Sequence, residues 1–218
     1  MMTRLQPKGI IFDLDGTLID SGPAVCKILN EMRQSRSLPE IPCDSIKSVI
    51  SVGGEEMISR ALNIPQYQAT EALAYFRHTY LHTPVAQSSI YPMVTLMLNI
   101  MKKSGKKLCI STNKPRNLAE KILKELNLAQ HFDFINAGGD LPNKKPHPSN
   151  IYVCLNTLQL KPDEMVLVGD SRVDQQTALN AGIPFYFFSN GYDDGVDRAK
   201  AVFCFRHYSE LITHLDIQ

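Results

Sequence analysis

The chain mixes short apolar runs of strand length with longer stretches in which apolar residues return every three or four positions. Ile10-Ile11-Phe12 is apolar, β-prone and short, which predicts a buried strand. From Lys107 onward strand-like and helix-like segments alternate. Lys107–Ile110 reads as a strand, and Pro115–Leu126 as a helix, with a stripe at Leu118, Ile122, Leu123 and Leu126 and a proline near its start. Phe134–Ala137 is a short strand, Asn150–Leu158 a helix, Met165–Val168 a strand, and Asp174–Asn180 a helix ending near Gly182. Phe185–Phe188 and Ala201–Phe205 complete the strands, and Tyr208–Leu215 forms a last helix. This alternation predicts a parallel sheet with helices on both faces.

The interval between Asp15 and Lys107 has almost no strand-like run. Val25, Ile28, Leu29 and Met32 form one helical stripe, and Met57, Ile58, Ala61 and Leu62 a second. Pro65 opens a third candidate containing Leu73, Phe76, Tyr80 and Leu81. The expected division is therefore an α/β core from residues 1–19 and 88–218, and an all-helical unit from 20–87. A chain of 218 residues has room for both.

Composition narrows the class without choosing a function. Apolar residues make up 44% and charged residues 21%, as in ordinary globular proteins. The formal net charge of +1 gives no electrostatic reason to expect nucleic acid or an anionic membrane as partner. Lys102, Lys103, Lys106 and Lys107 cluster around Gly105 and read as a solvated loop. No apolar stretch is long enough to span a membrane, and residues 1–8 do not read as a signal peptide. The five cysteines show no metal-ligand spacing, and their odd number points to reduced packing residues in a cytoplasmic protein.

Chemistry concentrates just after the first strand. Asp13 and Asp15 flank Leu14 and run into Gly16-Thr17. In an extended chain the two acids share a face, and crowded carboxylates repel unless a cation or a proton intervenes. A glycine turn at a strand end is also where open α/β sheets place ligands. Taken alone, Asp-x-Asp-Gly is equally a turn with a solvated acid pair. Three further segments follow strand-like runs or loops: Ser111-Thr112-Asn113-Lys114-Pro115, Asn143-Lys144-Lys145-Pro146-His147-Pro148, and Gly169-Asp170-Ser171-Arg172-Val173-Asp174.

Together, and in this order, the four segments resemble the motifs of the haloacid dehalogenase superfamily; their Thr-Asn-Lys-Pro and Lys-Lys-Pro-His-Pro wording is most similar to phosphoglycolate phosphatases. The resemblance implies a Rossmann-like core with a small helical cap domain over the active-site mouth. It implies that Asp13 is a nucleophile forming an aspartyl-phosphate, and that Asp15 protonates the leaving alkoxide and then takes a proton from water. It implies Mg²⁺ held by the Asp13 carboxylate, the Asp15 backbone carbonyl and the Asp170 carboxylate, a donor set of oxygens suited to a hard cation. Asp174 would orient water on the metal or Lys145, or simply favour a helix start. Thr112 and Asn113 would bind phosphate oxygens with Lys145; Ser111 is a second candidate hydroxyl, and Ser/Thr/Asn before a helix is also an ordinary cap. His147 and Lys144 read as surface residues.

In the helical unit, Gly53 and Gly54 resemble a glycine segment that faces the substrate, although the two glycines adjoin and Glu55-Glu56 follow, which suits a helix start better than a pocket for an acid. The expected activity is Mg²⁺-dependent hydrolysis of a small phosphorylated metabolite, 2-phosphoglycolate first. A phosphomutase of the β-phosphoglucomutase type is the alternative, since it shares Asp13 and Asp15. Dehalogenase and phosphonatase chemistry are disfavoured by the presence of Asp15, and a non-catalytic phosphate-binding module by the presence of Asp13, Lys145 and Asp170.

Overall fold

The computed structural model describes residues 6–50 and 53–217. Among these, one six-stranded sheet runs in the order β3-β2-β1-β4-β5-β6, with every pairing parallel. The strands are β1 (Gly9–Phe12), β2 (Lys107–Pro115), β3 (Phe134–Gly138), β4 (Met165–Gly169), β5 (Phe185–Phe188) and β6 (Phe203–Phe205). The apolar run at the start of β1 is explained by its place. It sits between β2 and β4, with Phe12 opposite Ile110 on one side and Val168 on the other. A central parallel strand has both faces covered, so every residue of β1 is buried.

The pleat divides the core in two. Ile10 and Phe12 point into the larger cluster, which includes α5 (Val94–Lys103), α6 (Arg116–Glu125) and α9 (Tyr208–His214). Ile11, Cys109 and Leu167 point the other way, onto α7 (Ser149–Leu158) and α8 (Arg172–Ala181). This is the expected sheet with helices on both faces.

Five α-helices lie between β1 and β2; the first four form an insert ahead of the core helix α5: α1 (Gly22–Gln34), α2 (Cys43–Ile50), α3 (Gly54–Leu62) and α4 (Ala69–His82). Val25, Ile28, Leu29 and Met32 of α1 and Met57, Ile58, Ala61 and Leu62 of α3 are all buried, as their spacing predicts. Arg33 is buried with them and donates to the backbone carbonyls of Pro39 (2.6 Å) and Ala61. The insert enters and leaves the core through a two-stranded stem. Asp20 N donates to Ser89 O at 2.7 Å, Tyr91 N donates to Leu18 O at 3.1 Å, and Ile19 bridges Ile90 antiparallel.

The structure departs from the sequence-based expectation in three places. Helix α2 was not anticipated; it is only eight residues long. Strand β2 continues through Pro115 instead of stopping at Ile110, because β3 pairs with it as far as Pro115↔Gly138 across a register shift. Helix α6 therefore starts at Arg116. The third departure concerns the cysteines. Cys26 on α1 and Cys43 at the start of α2 form a disulfide, their Cα atoms 5.4 Å apart. The loop at 35–42 folds α2 back onto α1, a proximity that spacing along the chain does not reveal. The expectation of five reduced cysteines is thus corrected, and with it goes that ground for a cytoplasmic location. Cys109 and Cys154 are free and buried, and Cys204 is free and exposed. No described helix is long and apolar enough to cross a membrane.

The disulfide closes a loop of sequence separation 17 within the insert. Cys43→Ser, at an exposed position, is expected to lower unfolding stability by about 2–4 kcal/mol through loss of that cross-link. Urea denaturation of the variant should match that of the reduced wild-type protein; no difference between oxidised and reduced wild type would exclude the role.

Candidate active site

The strand order reverses at β1: β2 and β3 lie to one side, β4 to β6 to the other. In open α/β sheets this switch point leaves a crevice at the carboxyl ends of the strands. Asp13 directly follows β1 and Asp170 directly follows β4, so two adjacent parallel strands each deliver a carboxylate to that crevice. Asp174 joins them from the first turn of α8, and one carboxylate oxygen from each of the three lies within 4.8 Å of the others.

Each acid is held differently. Asp170 Oδ1 accepts from Thr17 Oγ1 (2.7 Å) and Oδ2 from Tyr192 N (2.7 Å). Asp174 is fully buried, and its carboxylate closes a capping box: Oδ2 accepts from Ser171 N (3.2 Å) and Ser171 Oγ (2.6 Å). Its Oδ1 accepts from Lys145 Nζ at 2.6 Å. The same ammonium lies 2.8 Å from Asp13 Oδ1, so Lys145 bridges the two acids. Lys145 is itself fixed through its backbone: Asn113 Oδ1 accepts from Lys145 N (2.9 Å) and Asn113 Nδ2 donates to Lys145 O (3.1 Å). The Lys145–Pro146 peptide is cis. Asn150 pins the same loop by donating to Asn143 O and His147 O, both at 3.0 Å.

Burial sets the electrostatics. It lifts the Asp13 carboxyl to about 6, with Asp174 adding to the rise and Lys145 opposing it. Burial, followed by the charges of Asp174 and Asp13, pushes Asp170 well above the usual carboxylate range against the hydrogen bonds it accepts. Burial works to depress Lys145, but Asp13 and Asp174 outweigh it and raise it instead. Three acids thus crowd a site with one internal cation, which pairs with two of them. The surplus negative charge, presented entirely through oxygen donors, fits a hard divalent ion.

Gly16 makes room for this cluster. It has φ +79, and a Cβ there would collide with the Asp170 carboxylate. The site opens into a cavity of about 180 Å³ between the core and the insert. Asp13, Asp15, Thr112, Asn113, Lys145 and Asp170 all line it. Thr112 does so, while Ser111, its neighbour on the opposite face of β2, is wholly buried and does not line it. Gly53 and Gly54, both at positive φ, line the cavity from the insert; Ser51 and Val52 of that segment lie outside the described residues. Glu55 and Glu56 occupy the first turn of α3, bonded to Thr70 and Arg60 rather than facing the cavity. His147 is exposed and pairs with Ser149.

The contacts of several residues were not read from sequence. Asn113 was expected on the phosphate, yet its side-chain amide is committed at both ends to Lys145. Thr17 completes Asp170, and its own carbonyl accepts from the buried Tyr208 hydroxyl. Tyr192, from the loop after β5, reaches both Asp170 and the root of α1, where its hydroxyl accepts from Gly22 N (2.8 Å) and donates to Asp20 Oδ1 (3.1 Å). Thr17 and Lys114 carried a signal, their places within the first and second motifs.

An acid cluster at the switch point of a doubly wound sheet, roofed by helices inserted after the first strand, defines an α/β enzyme. The model of the haloacid dehalogenase-like hydrolase family matches residues 10–188. The phosphoglycolate phosphatase of Rhodobacter capsulatus is 32% identical over 187 residues, covering 84% of each chain. The plasmid phosphoglycolate phosphatase of Cupriavidus necator is 33% identical over 84% of this chain and 81% of its own. A crystal structure of a predicted phosphoglycolate phosphatase from Haemophilus somnus superposes with a TM-score of 0.84 at 26% identity, covering 98% of this chain and 99% of that one. The chain belongs to the haloacid dehalogenase-like hydrolase family.

In the metal-free protein a charged Asp13 opposes folding. Its carboxyl rises from 3.8 unfolded to about 6 folded, so the folded state binds the proton more tightly and stability falls as pH rises through that window. Asp13→Asn is therefore expected to stabilise the protein in chelator at pH 7 by about 1–3 kcal/mol. The gain should vanish by pH 4. Equal or lower stability of the variant at pH 7, measured by denaturant titration, would contradict the assignment.

Proposed function

We propose that this hydrolase is a Mg²⁺-dependent phosphatase of small phosphomonoesters, with 2-phosphoglycolate its leading substrate. The observation that carries the reading is the meeting of Asp13, Lys145 and Asp170 at the floor of a small cavity, beside Asp15. The names of the relatives support the substrate, and they favour the phosphatase over the mutase alternative.

Mg²⁺ would be held by the carboxylates of Asp13 and Asp170 and the backbone carbonyl of Asp15; when bound it offsets the crowding of acids and draws charge from the phosphate oxygens. Asp174 stays with Lys145 and Ser171 and keeps the ammonium in place. Lys145 and the Thr112 hydroxyl receive the transferring phosphoryl group. The free oxygen of Asp13 attacks phosphorus as the ester P–O bond breaks, which leaves an acyl phosphate on Asp13 and an alkoxide that takes a proton from Asp15. Asp15 then accepts a proton from water, which attacks the same phosphorus and releases inorganic phosphate and the Asp13 carboxylate. The helical insert acts as a cap domain, limiting substrates by volume and excluding water.

Phosphate release from a panel of small phosphoesters tests the reading. Turnover should require Mg²⁺ and cease in excess chelator. Asp15→Asn separates the two half-reactions. An aryl phosphate has a leaving group that needs little protonation, so the variant should still phosphorylate Asp13 but stall for want of a base. A burst of one equivalent of phenol, followed by turnover slowed at least ~10²-fold, is expected. Steady turnover with no burst and no phosphate retained on the protein would withdraw the role of Asp15.

A further inference from the structure

Lys114 is left without a task by this mechanism, yet it is as firmly built in as Lys145. Its side chain is nearly buried, and its Nζ lies 3.0 and 3.1 Å from the two oxygens of Asp15. Tyr80, on α4, covers the ammonium with its ring, the centroid 4.4 Å away. Arg77 stands three residues before Tyr80, on the same face of α4, and lines the same cavity. It makes no ion pair among the described residues. Val25, Met57, Leu73 and Phe76 of the insert add apolar lining to that cavity. The cavity therefore offers Lys114 beside Asp15, and Arg77 on its lining, in addition to the lysine that serves the phosphate.

While Lys114 holds both oxygens of Asp15, that carboxylate is not free to address a leaving oxygen. Releasing a nearly buried ammonium without a new partner is costly. A substrate carboxylate one methylene from the ester oxygen removes the difficulty, because it arrives beside Asp15 and offers Lys114 an equivalent partner. A neutral hydroxymethyl group at the same place does not. We infer that Lys114, assisted by Arg77, is the specificity-determining cation for a carboxylate on the substrate, and that it exchanges Asp15 for that carboxylate when substrate binds. The inference rests on the phosphatase reading and names the feature by which that site selects a phosphorylated two-carbon acid.

The test compares kcat/KM for 2-phosphoglycolate and for 2-hydroxyethyl phosphate, which keeps the two-carbon chain and lacks the carboxylate, at saturating Mg²⁺. The wild-type protein should prefer the acid by at least ~10²-fold, the scale of discrimination when a site's polar group is left unpaired. Lys114→Met should reduce that ratio by at least ~30-fold, and Arg77→Met by about 5–10-fold, chiefly through KM. A ratio within ~3-fold of wild type in Lys114→Met overturns the inference. If Lys114→Met is inactive on both substrates, the exposed Arg77 decides: a lowered ratio in Arg77→Met supports the inference and an unchanged ratio overturns it. A wild-type protein with no preference for the acid overturns both the inference and the phosphoglycolate reading. A wild-type preference that survives in the variants overturns the inference alone.

Discussion

The centre of the molecule depends on one ammonium group. Lys145 stands 2.8 Å from Asp13 and 2.6 Å from Asp174, in a crevice that also holds Asp170. Without it, three carboxylates would converge in a medium that screens them poorly. Much of the surrounding structure serves to hold that one residue. Asn113 grips its backbone from β2, Asn150 pins its loop from α7, and Ser171 keeps Asp174 aimed at it from the start of α8. These contacts join β2, α7 and α8, so the charge balance of the site also fastens neighbouring parts of the core to each other.

The sheet makes this arrangement economical. Parallel strands bring their carboxyl ends to one edge, and the reversal of strand order at β1 leaves that edge open between β1 and β4. Asp13 and Asp170 need only be the first residues after their strands to face each other there. The same geometry explains why the sequence was so readable at this point: an apolar run followed at once by an acid marks a strand end, and it occurs at both positions. The alternation of strand and helix from Lys107 onward, and the helical stripes of α1, α3 and α4, were legible for a similar reason, since each is a local period imposed by a buried face.

What was not legible depends on proximity in space. The Cys26–Cys43 disulfide needs the fold of loop 35–42, which no spacing announces. Tyr192 reaches Asp170 and the root of α1 from a loop more than a hundred and fifty residues away from the latter, as the separation of 170 between Gly22 and Tyr192 records. Asn113 was expected at the phosphate; its motif gives its position, and only packing shows that both ends of its side-chain amide bond the backbone of Lys145. Lys114 was part of a quoted motif, and its significance appeared only when Asp15 and Tyr80 were found on either side of it.

The stem through which the helical insert joins the core has a wider implication. Leu18–Asp20 and Ser89–Tyr91 run side by side, held by backbone hydrogen bonds at 2.7 and 3.1 Å. From the side of the sheet, the whole insert therefore looks like a hairpin loop, and the entropy of closing such a loop grows only slowly with its length. The core can fold around the stem with little regard for what lies beyond it. The two sides of the cavity are then separately replaceable pieces of chain: the helices that bring Tyr80 and Arg77 to it can change while the strand ends that carry Asp13 and Asp170 stay where they are.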